Sequence, residues 1–282
     1  MRDKISLPIL ALLFLIILLQ PLFADYITRT RKVSINWSKG RIISRGSSSI
    51  KIEPHGSPID YHNNSSTSIN RARADAYTLA REEAIVNIYE AIKEIRIDVG
   101  NTVRDLIKDN KYIQTRLSAL IEYSISENEY PVDFFTTQCE IKLRMSDIIA
   151  SIPFDFPFQN FPLRDDTPIS TYYSGLIVDG RGLNIKPMLF PSIYNDNGLE
   201  IYGRYYIKSQ FACNFGMVSY CYSEEEAFND KRAGKNPYFT VALKEIKGCP
   251  VLSDKDARRI FSDKETINNL AECRVIFILD RG

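Results

Sequence analysis

The 282-residue sequence has only two histidines, His55 and His62, and a single tryptophan, Trp37. Both histidines fall in one polar stretch, so a Ser–His or Cys–His nucleophile pair would have to be built from that stretch alone. Neither stands near a Cys or a pair of carboxylates at metal-ligand spacing, which removes the usual zinc arrangements. G-x-S-x-G and H-E-x-x-H are absent. Gly234-Lys235 lacks the upstream glycine and the Ser or Thr of a phosphate loop, and Gly180-Arg181-Gly182 lacks the third glycine of a dinucleotide fingerprint. Charge of one sign is missing too: 36 Lys and Arg balance 35 Asp and Glu. Such a chain has no electrostatic footprint for a polyanion, so no nucleic acid is expected as a partner. No internal repeat is evident between the halves. The expectation is a protein that is not an enzyme and carries no cofactor or metal.

The five cysteines, Cys139, Cys213, Cys221, Cys249 and Cys273, show no C-x-x-C spacing. In an oxidising compartment some would pair, and an odd count leaves at least one free. Cys213 and Cys221 are the closest in sequence and could bridge across a turn; the pairing stays open. Cys139 sits in a strand-like run and reads as a buried free thiol.

What is present begins with an export signal. Arg2 and Lys4 precede the apolar run Ile9–Leu19, Gln20-Pro21 breaks it, and Ala24 puts a small residue before a cut ahead of Asp25. The run is about 11 residues, short of the roughly 20 that span a bilayer as a helix. Residues 1–24 therefore read as a signal peptide. Counting from Ile5 to Phe23 gives a marginal span, and a retained anchor is the alternative. No Cys follows the run, so a lipid at the mature N-terminus is not supported.

A 44% hydrophobic content with 15 Phe and 16 Tyr argues for a folded chain. Its organising stretch is Arg71–Ile95. Ala72, Ala76, Ala80 and Ala84 recur every fourth residue, and Ile88 and Ile92 continue the row, the pattern of an amphipathic helix. Small residues along one face let the helix axis come close to a sheet or a second helix. Ser68 or Asn70 is placed to cap it. Before it, Val33, Ile35 and Trp37 alternate with polar residues, and Lys39-Gly40 supplies a turn into Arg41–Ser44, which predicts a hairpin anchored by Trp37. Gly46–Ser68 reads as a long surface loop. After Gly100, Thr102–Asp109 and Tyr112–Tyr123 carry a second helical stripe, and Tyr130–Met145 reads as one long strand bulged near Phe134. Residues 25–151 are thus expected to form an α+β domain.

Ile152–Pro168 carries four prolines, which exclude a helix, and four phenylalanines too apolar for a free tether. It reads as an extended connector, residues 152–168, whose rings pack internally. Residues 169–282 form a second expected α+β domain with a mixed sheet. Its strands are placed at Leu176–Asp179, Met188–Tyr194, Glu200–Ile207, Tyr238–Glu245 and Arg274–Leu279. Tyr220–Asp230 has a helix-like acidic character, and Ser253-Asp254 is placed to cap a helix over Lys255–Phe261, with another at Glu265–Glu272.

The best chemistry-bearing constellation is Asp179, at a strand end, beside Arg181. A turn carboxylate paired to a neighbouring cation explains it more simply than catalysis or ligand binding does. Asn36-Trp37-Ser38 and Asn63-Asn64-Ser65 match glycosylation acceptors, which matter only in a eukaryotic secretory pathway.

Two longer stretches carry a resemblance. INWSKGRIISRG followed by RARADAYTLAREEAIVNIYEAIKEIRID resembles the FlgP-like group of bacterial outer-membrane-associated lipoproteins, in which a Trp-bearing strand and a Gly-bounded return strand precede an Ala/Arg-rich helix. YSGLIVDGRGLNIKPMLFPSIYNDNGLEIYG resembles a C-terminal module attached to that domain in longer envelope proteins. The resemblance implies a non-enzymatic protein of the periplasm or the periplasmic face of the outer membrane, in some members an accessory of the flagellar basal body. It implies envelope or flagellar proteins as partners and peripheral membrane contact; self-association through the hairpin or sheet edges is the expected physical mechanism, since unpaired edge strands recruit partners. Family members carry a lipidated Cys, which this sequence does not place after its apolar run. The rival expectation is a periplasmic small-ligand-binding protein or hydrolase using the Asp179–Arg181 loop and the Tyr202–Tyr206 surface.

Overall fold

The computed structural model describes residues 25–30, 32–123, 126–162 and 172–281. Residues 1–24, read from the sequence as an export signal, and residues 163–168 of the connector lie outside them. Three strands open the chain: β1 (Ile27–Arg29), β2 (Val33–Asn36) and β3 (Arg41–Ser49). β2 and β3 join over Lys39-Gly40, where Gly40 takes φ +59°, a left-handed conformation that glycine adopts without a Cβ penalty. Short strands β4 (Lys51–Ile52) and β5 (Pro58–Ile59) pair with each other ahead of the long helix α1 (Ile69–Lys93). Helices α2 (Val103–Asp109) and α3 (Lys111–Tyr123) follow, then strands β6 (Ser126–Pro131) and β7 (Thr136–Arg144) and helix α4 (Met145–Ser151). The sheet runs β1-β2-β3-β7-β6 with antiparallel neighbours throughout.

The alanine row does what its spacing predicts. Ser68 caps α1, its hydroxyl accepting from the Arg71 amide at 3.3 Å, and Ala72, Ala76, Ala80, Ala84, Ile88 and Ile92 are all buried. The facing strand is equally lean. A Cβ placed on Gly46 would sit 2.0 Å from the Ala80 carbonyl oxygen and 2.6 Å from the Ala84 nitrogen. Two residues earlier on the same face, the Ser44 hydroxyl donates to the Ala84 carbonyl at 2.8 Å. Backbone meets backbone because both surfaces gave up their side chains.

The C-terminal half holds two four-stranded sheets. One is parallel, in the order β11-β15-β8-β12: β8 (Leu176–Asp179), β11 (Ser219–Cys221), β12 (Tyr238–Val241) and β15 (Val275–Ile278). β8 and β15 are buried at every residue, as expected of apolar runs covered on both faces. The other sheet is mixed, in the order β10-β9-β14-β13: β9 (Ile193–Asn195), β10 (Glu200–Tyr202), β13 (Lys244–Ile246) and β14 (Cys249–Leu252). Helices α5 (Ser209–Phe215), α6 (Glu224–Asn229), α7 (Asp254–Ile260) and α8 (Lys264–Ala271) complete an α+β chain. Ser223, Ser253 and Asp263 cap the last three.

Several sequence expectations give way here. Tyr130–Met145 is not one bulged strand, because the Asp133 carboxylate accepts the Phe135 and Thr136 amides, each at 2.7 Å, and folds the chain into a hairpin between β6 and β7. The loop placed at 46–68 begins only after β3 has run to Ser49 and contains the β4–β5 pair. Met188–Phe190 is buried but is no strand of either sheet; the Leu189 and Phe190 amides donate to the Arg96 and Ile97 carbonyls of the first half at 2.9 and 2.7 Å. The run 200–207 breaks after Tyr202 into a short 3-10 turn, Arg204–Tyr206. Tyr220–Asp230 splits into the buried strand β11 and the capped helix α6. Tyr238–Glu245 divides between the two sheets, since the Ala242 amide bonds to Asp179 and the Leu243 amide to Val251.

All five cysteines are free, so no bridge joins Cys213 to Cys221. In the connector, Phe154 and Phe156 pack edge-on against Phe190, and Phe161 lies between Tyr206 and Phe261; Phe158 is exposed. Trp37 is half-buried at the seam between the halves, edge-on to Tyr220 at 5.8 Å, with its indole N–H donated to Thr28. Beside it, the Ser38 hydroxyl donates to the Tyr220 carbonyl at 2.7 Å, and one continuous apolar core runs through both halves.

Candidate functional site

Asp179 ends β8 at the carboxyl edge of the parallel sheet, the edge where open α/β sheets take their ligands. Its carboxylate is held by its neighbours. The Arg181 amide and Nε donate to Asp179 Oδ1 at 3.0 and 2.9 Å, and Arg181 Nη2 donates to Oδ2 at 2.5 Å. The same Nη2 reaches Glu224 Oε1 at 2.6 Å, so the first turn of α6 is tied to β8. Across the edge, the Gly182 amide donates to Asp280 Oδ2 at 2.7 Å. Burial alone would raise the Asp179 carboxyl, but the Arg181 bonds outweigh it and hold the group below its ordinary value; Arg181 is raised in turn by Asp179 first and Glu224 second. A cavity of about 220 Å³ beside Cys221 is lined by Asp25, Ser38, Tyr220 and Glu226 and does not reach Asp179 or Arg181. Geometrically this is a clasp on the sheet edge. Both oxygens of Asp179 are taken by Arg181.

The other groups that chemistry would use are buried or stand apart from one another. Tyr202 lies in the second sheet, wholly buried, donating to the Met217 carbonyl at 2.9 Å. Burial pushes the Cys221 and Cys273 thiols up to about 12 and Cys249 up to about 11, so none of the three is a thiolate at neutral pH. His55 and His62 are exposed, and among the described residues no group of three His, Cys, Asp or Glu side chains is arranged to hold a metal.

The surface feature that sequence reasoning missed is the β6–β7 turn. Tyr130, Val132, Phe134 and Phe135 are all exposed there, with Val132 at 60% and Phe134 at 59%. Asp133 fixes the turn from within, the two Phe rings meet edge-on at 5.0 Å, and the Arg73 guanidinium lies 4.4 Å from the Phe134 ring centre. Ile52 and Tyr61 are exposed at the same end of the sheet, which the bond from the Ile50 amide to the Phe135 carbonyl joins to the turn. Exposed apolar side chains gathered at one fixed turn differ from the single exposed apolar residues common on any surface. The signal in the sequence was Pro131 and Asp133, two turn formers inside a run whose apolar residues imitate a strand.

The C-terminal half is thus a compact unit built on a parallel sheet closed by an ionic clasp. Residues 175–281, from just before β8 to the residues after β15, match the family model of the second domain of Treponema pallidum Tp0624. Among curated proteins, none matches the chain.

Proposed function

We propose that this is an exported cell-envelope protein that works by assembly with other proteins rather than by catalysis, and that its first partner is a second copy of itself. The observation that carries the reading is the apolar turn Tyr130–Phe135, mounted on β6, the last strand of its sheet. An edge strand offers unpaired N–H and C=O groups, and a fixed apolar tip beside it supplies the burial that makes pairing favourable. The match of residues 175–281 is consistent with a spirochaete envelope protein. On this reading the N-terminal half is FlgP-like, the chain resides in the periplasm or on the periplasmic face of the outer membrane, and flagellar accessory proteins are further partners. Among the described residues no helix is long and apolar enough to cross a membrane; peripheral contact with the bilayer is part of the reading.

The test compares the full-length chain with a Val132→Ser/Phe134→Ser/Phe135→Ser variant by light scattering after size exclusion, with envelope fractionation of the same strains. The expected result is a wild-type oligomer found in the envelope fraction and a variant that is monomeric with unchanged far-UV circular dichroism. A wild-type chain that stays monomeric at 100-fold higher concentration and crosslinks to no envelope protein overturns the reading.

A further inference from the structure

β3 and β7 pair so that Arg41 stands directly opposite Arg144, with Lys142 one step along the same face. Like charges directly opposite one another destabilise a sheet pair. The face is the one turned away from α1, since the alternate residues Ile42 and Leu143 are buried. Arg116, from α3, closes on the same place, and the four cations line a cavity of about 690 Å³. Its remaining wall is Ala119, Leu120, Leu143, Ala150 and Ser151, with Asp147 the carboxylate among the lining residues.

The charges do not cancel locally. Asp147 is bound by Arg144 through both oxygens, at 2.7 and 2.9 Å. Glu140, the neighbouring carboxylate on this face, takes Arg45 at 2.7 Å and Lys142 at 3.1 Å. Arg116 donates to neutral oxygens, those of the Ala150 carbonyl and the Tyr112 hydroxyl, at 3.4 and 3.3 Å. Arg41 has no carboxylate partner among the described residues. Four cations share two carboxylates over an apolar floor, with Arg41 and Arg116 paired to neither, the arrangement expected of a site completed by an anion.

We propose that this cavity binds an anionic amphiphile: a phosphate or carboxylate head held by Arg41 and Arg116, with an apolar tail laid along Leu120, Ala119 and Ala150. The volume lies in the range of small-molecule sites and is far larger than an inorganic anion needs. No aromatic side chain lines it for stacking a base, and the chain as a whole has no excess of cations, so a nucleic acid does not fit. The site stands apart from the assembly surface and does not depend on that reading.

The experiment is isothermal titration of the full chain with laurate and with dodecyl phosphate below their critical micelle concentrations. Dodecyl maltoside, inorganic phosphate and anionic phospholipid vesicles are titrated alongside. The expected result is one-to-one binding of laurate or dodecyl phosphate, weakening with salt, and weaker by tenfold or more in Arg41→Gln. Ala119→Trp, which fills the cavity from an exposed helix position, should abolish it. Without ligand, Arg41→Gln should melt no lower than wild type, because it relieves the Arg41–Arg144 opposition. Preference for laurate over dodecyl phosphate, or the reverse, assigns the head group; binding to vesicles but to neither monomer overturns the cavity in favour of a membrane surface. Equal binding of dodecyl maltoside, equal binding of inorganic phosphate, or no effect of Arg41→Gln also overturns the proposal.

Discussion

The two halves of this molecule solve the same problem, burying a sheet, in opposite ways. In the N-terminal half, α1 covers one face of a five-stranded antiparallel sheet, and the other face carries Arg41, Arg45, Glu140, Lys142 and Arg144. In the C-terminal half, the parallel sheet is buried at every residue of β8, β11 and β15. The first half economises on side chains and relies on closeness; the second relies on bulk. A one-sided sheet leaves a face and an edge for other molecules, and a two-sided one leaves its strand ends. The apolar turn and the cationic face described above both lie in the N-terminal half, and at the carboxyl edge of the parallel sheet Asp179 and Arg181 hold each other.

The largest expected effect tests bulk. Phe277 is buried in β15 with Tyr220 edge-on at 5.9 Å, and Phe277→Ala should cost about 3–5 kcal/mol, read by urea denaturation. Closeness comes next. Gly46→Ala pushes a methyl into the α1 backbone and should cost about 1–3 kcal/mol, while Ser47→Ala, one residue along on the exposed side, should cost little. If Gly46→Ala melts like wild type, helix and sheet are not in the contact described here.

Smaller again is the clasp. Asp179→Asn should cost about 1–2 kcal/mol at neutral pH. The folded carboxyl lies below the ordinary 3.8, so its contribution is complete above that value and is lost as pH falls through the depressed one. The stability difference between wild type and Asp179→Asn should therefore shrink only in acid, below about pH 4. A difference that instead closes between pH 6 and 8 would point to another group. The smallest effect concerns thiols. In native protein only the half-buried Cys213 should react promptly with a thiol reagent, and all five should react in denaturant. Fewer than five in denaturant would mean a disulfide.

The contrast also explains what could be read from the sequence. The every-fourth alanine row announced α1, its buried face and its close seat on a neighbour, because a single period of 3.6 residues carries all three. Ser68 as cap and the turn at Lys39-Gly40 were equally local, and so was the pairing of Asp179 with Arg181. Non-local bonds were not legible. Met188–Phe190 looks like a strand because it is apolar, yet its backbone partners are Arg96 and Ile97, some ninety residues earlier. Tyr238–Glu245 looks continuous because nothing in it records that Ala242 and Leu243 bond to different sheets. Glu224 and Asp280 joined the clasp from elements that alternation alone does not place. The exposed turn at Tyr130–Phe135 was hidden by its own composition, since apolar residues on a contact surface and in a core are spelled alike.

The pairing of β3 with β7 sets a timetable. Arg45 and Glu140, joined across those strands, are 95 residues apart. At about 5–20 residues per second, a ribosome needs roughly 5–20 s to deliver one after the other. Through the first half of that interval β3 has only β2 for company, α1 is complete by about the midpoint, and the edge where β7 belongs stays unpaired throughout. The tight seat of Gly46 under Ala80 and Ala84 can form within this window, because its participants are already made. In order of synthesis the half-sheet and its helix come first, and the later β6–β7 hairpin closes the sheet and creates the cationic face in the same stroke.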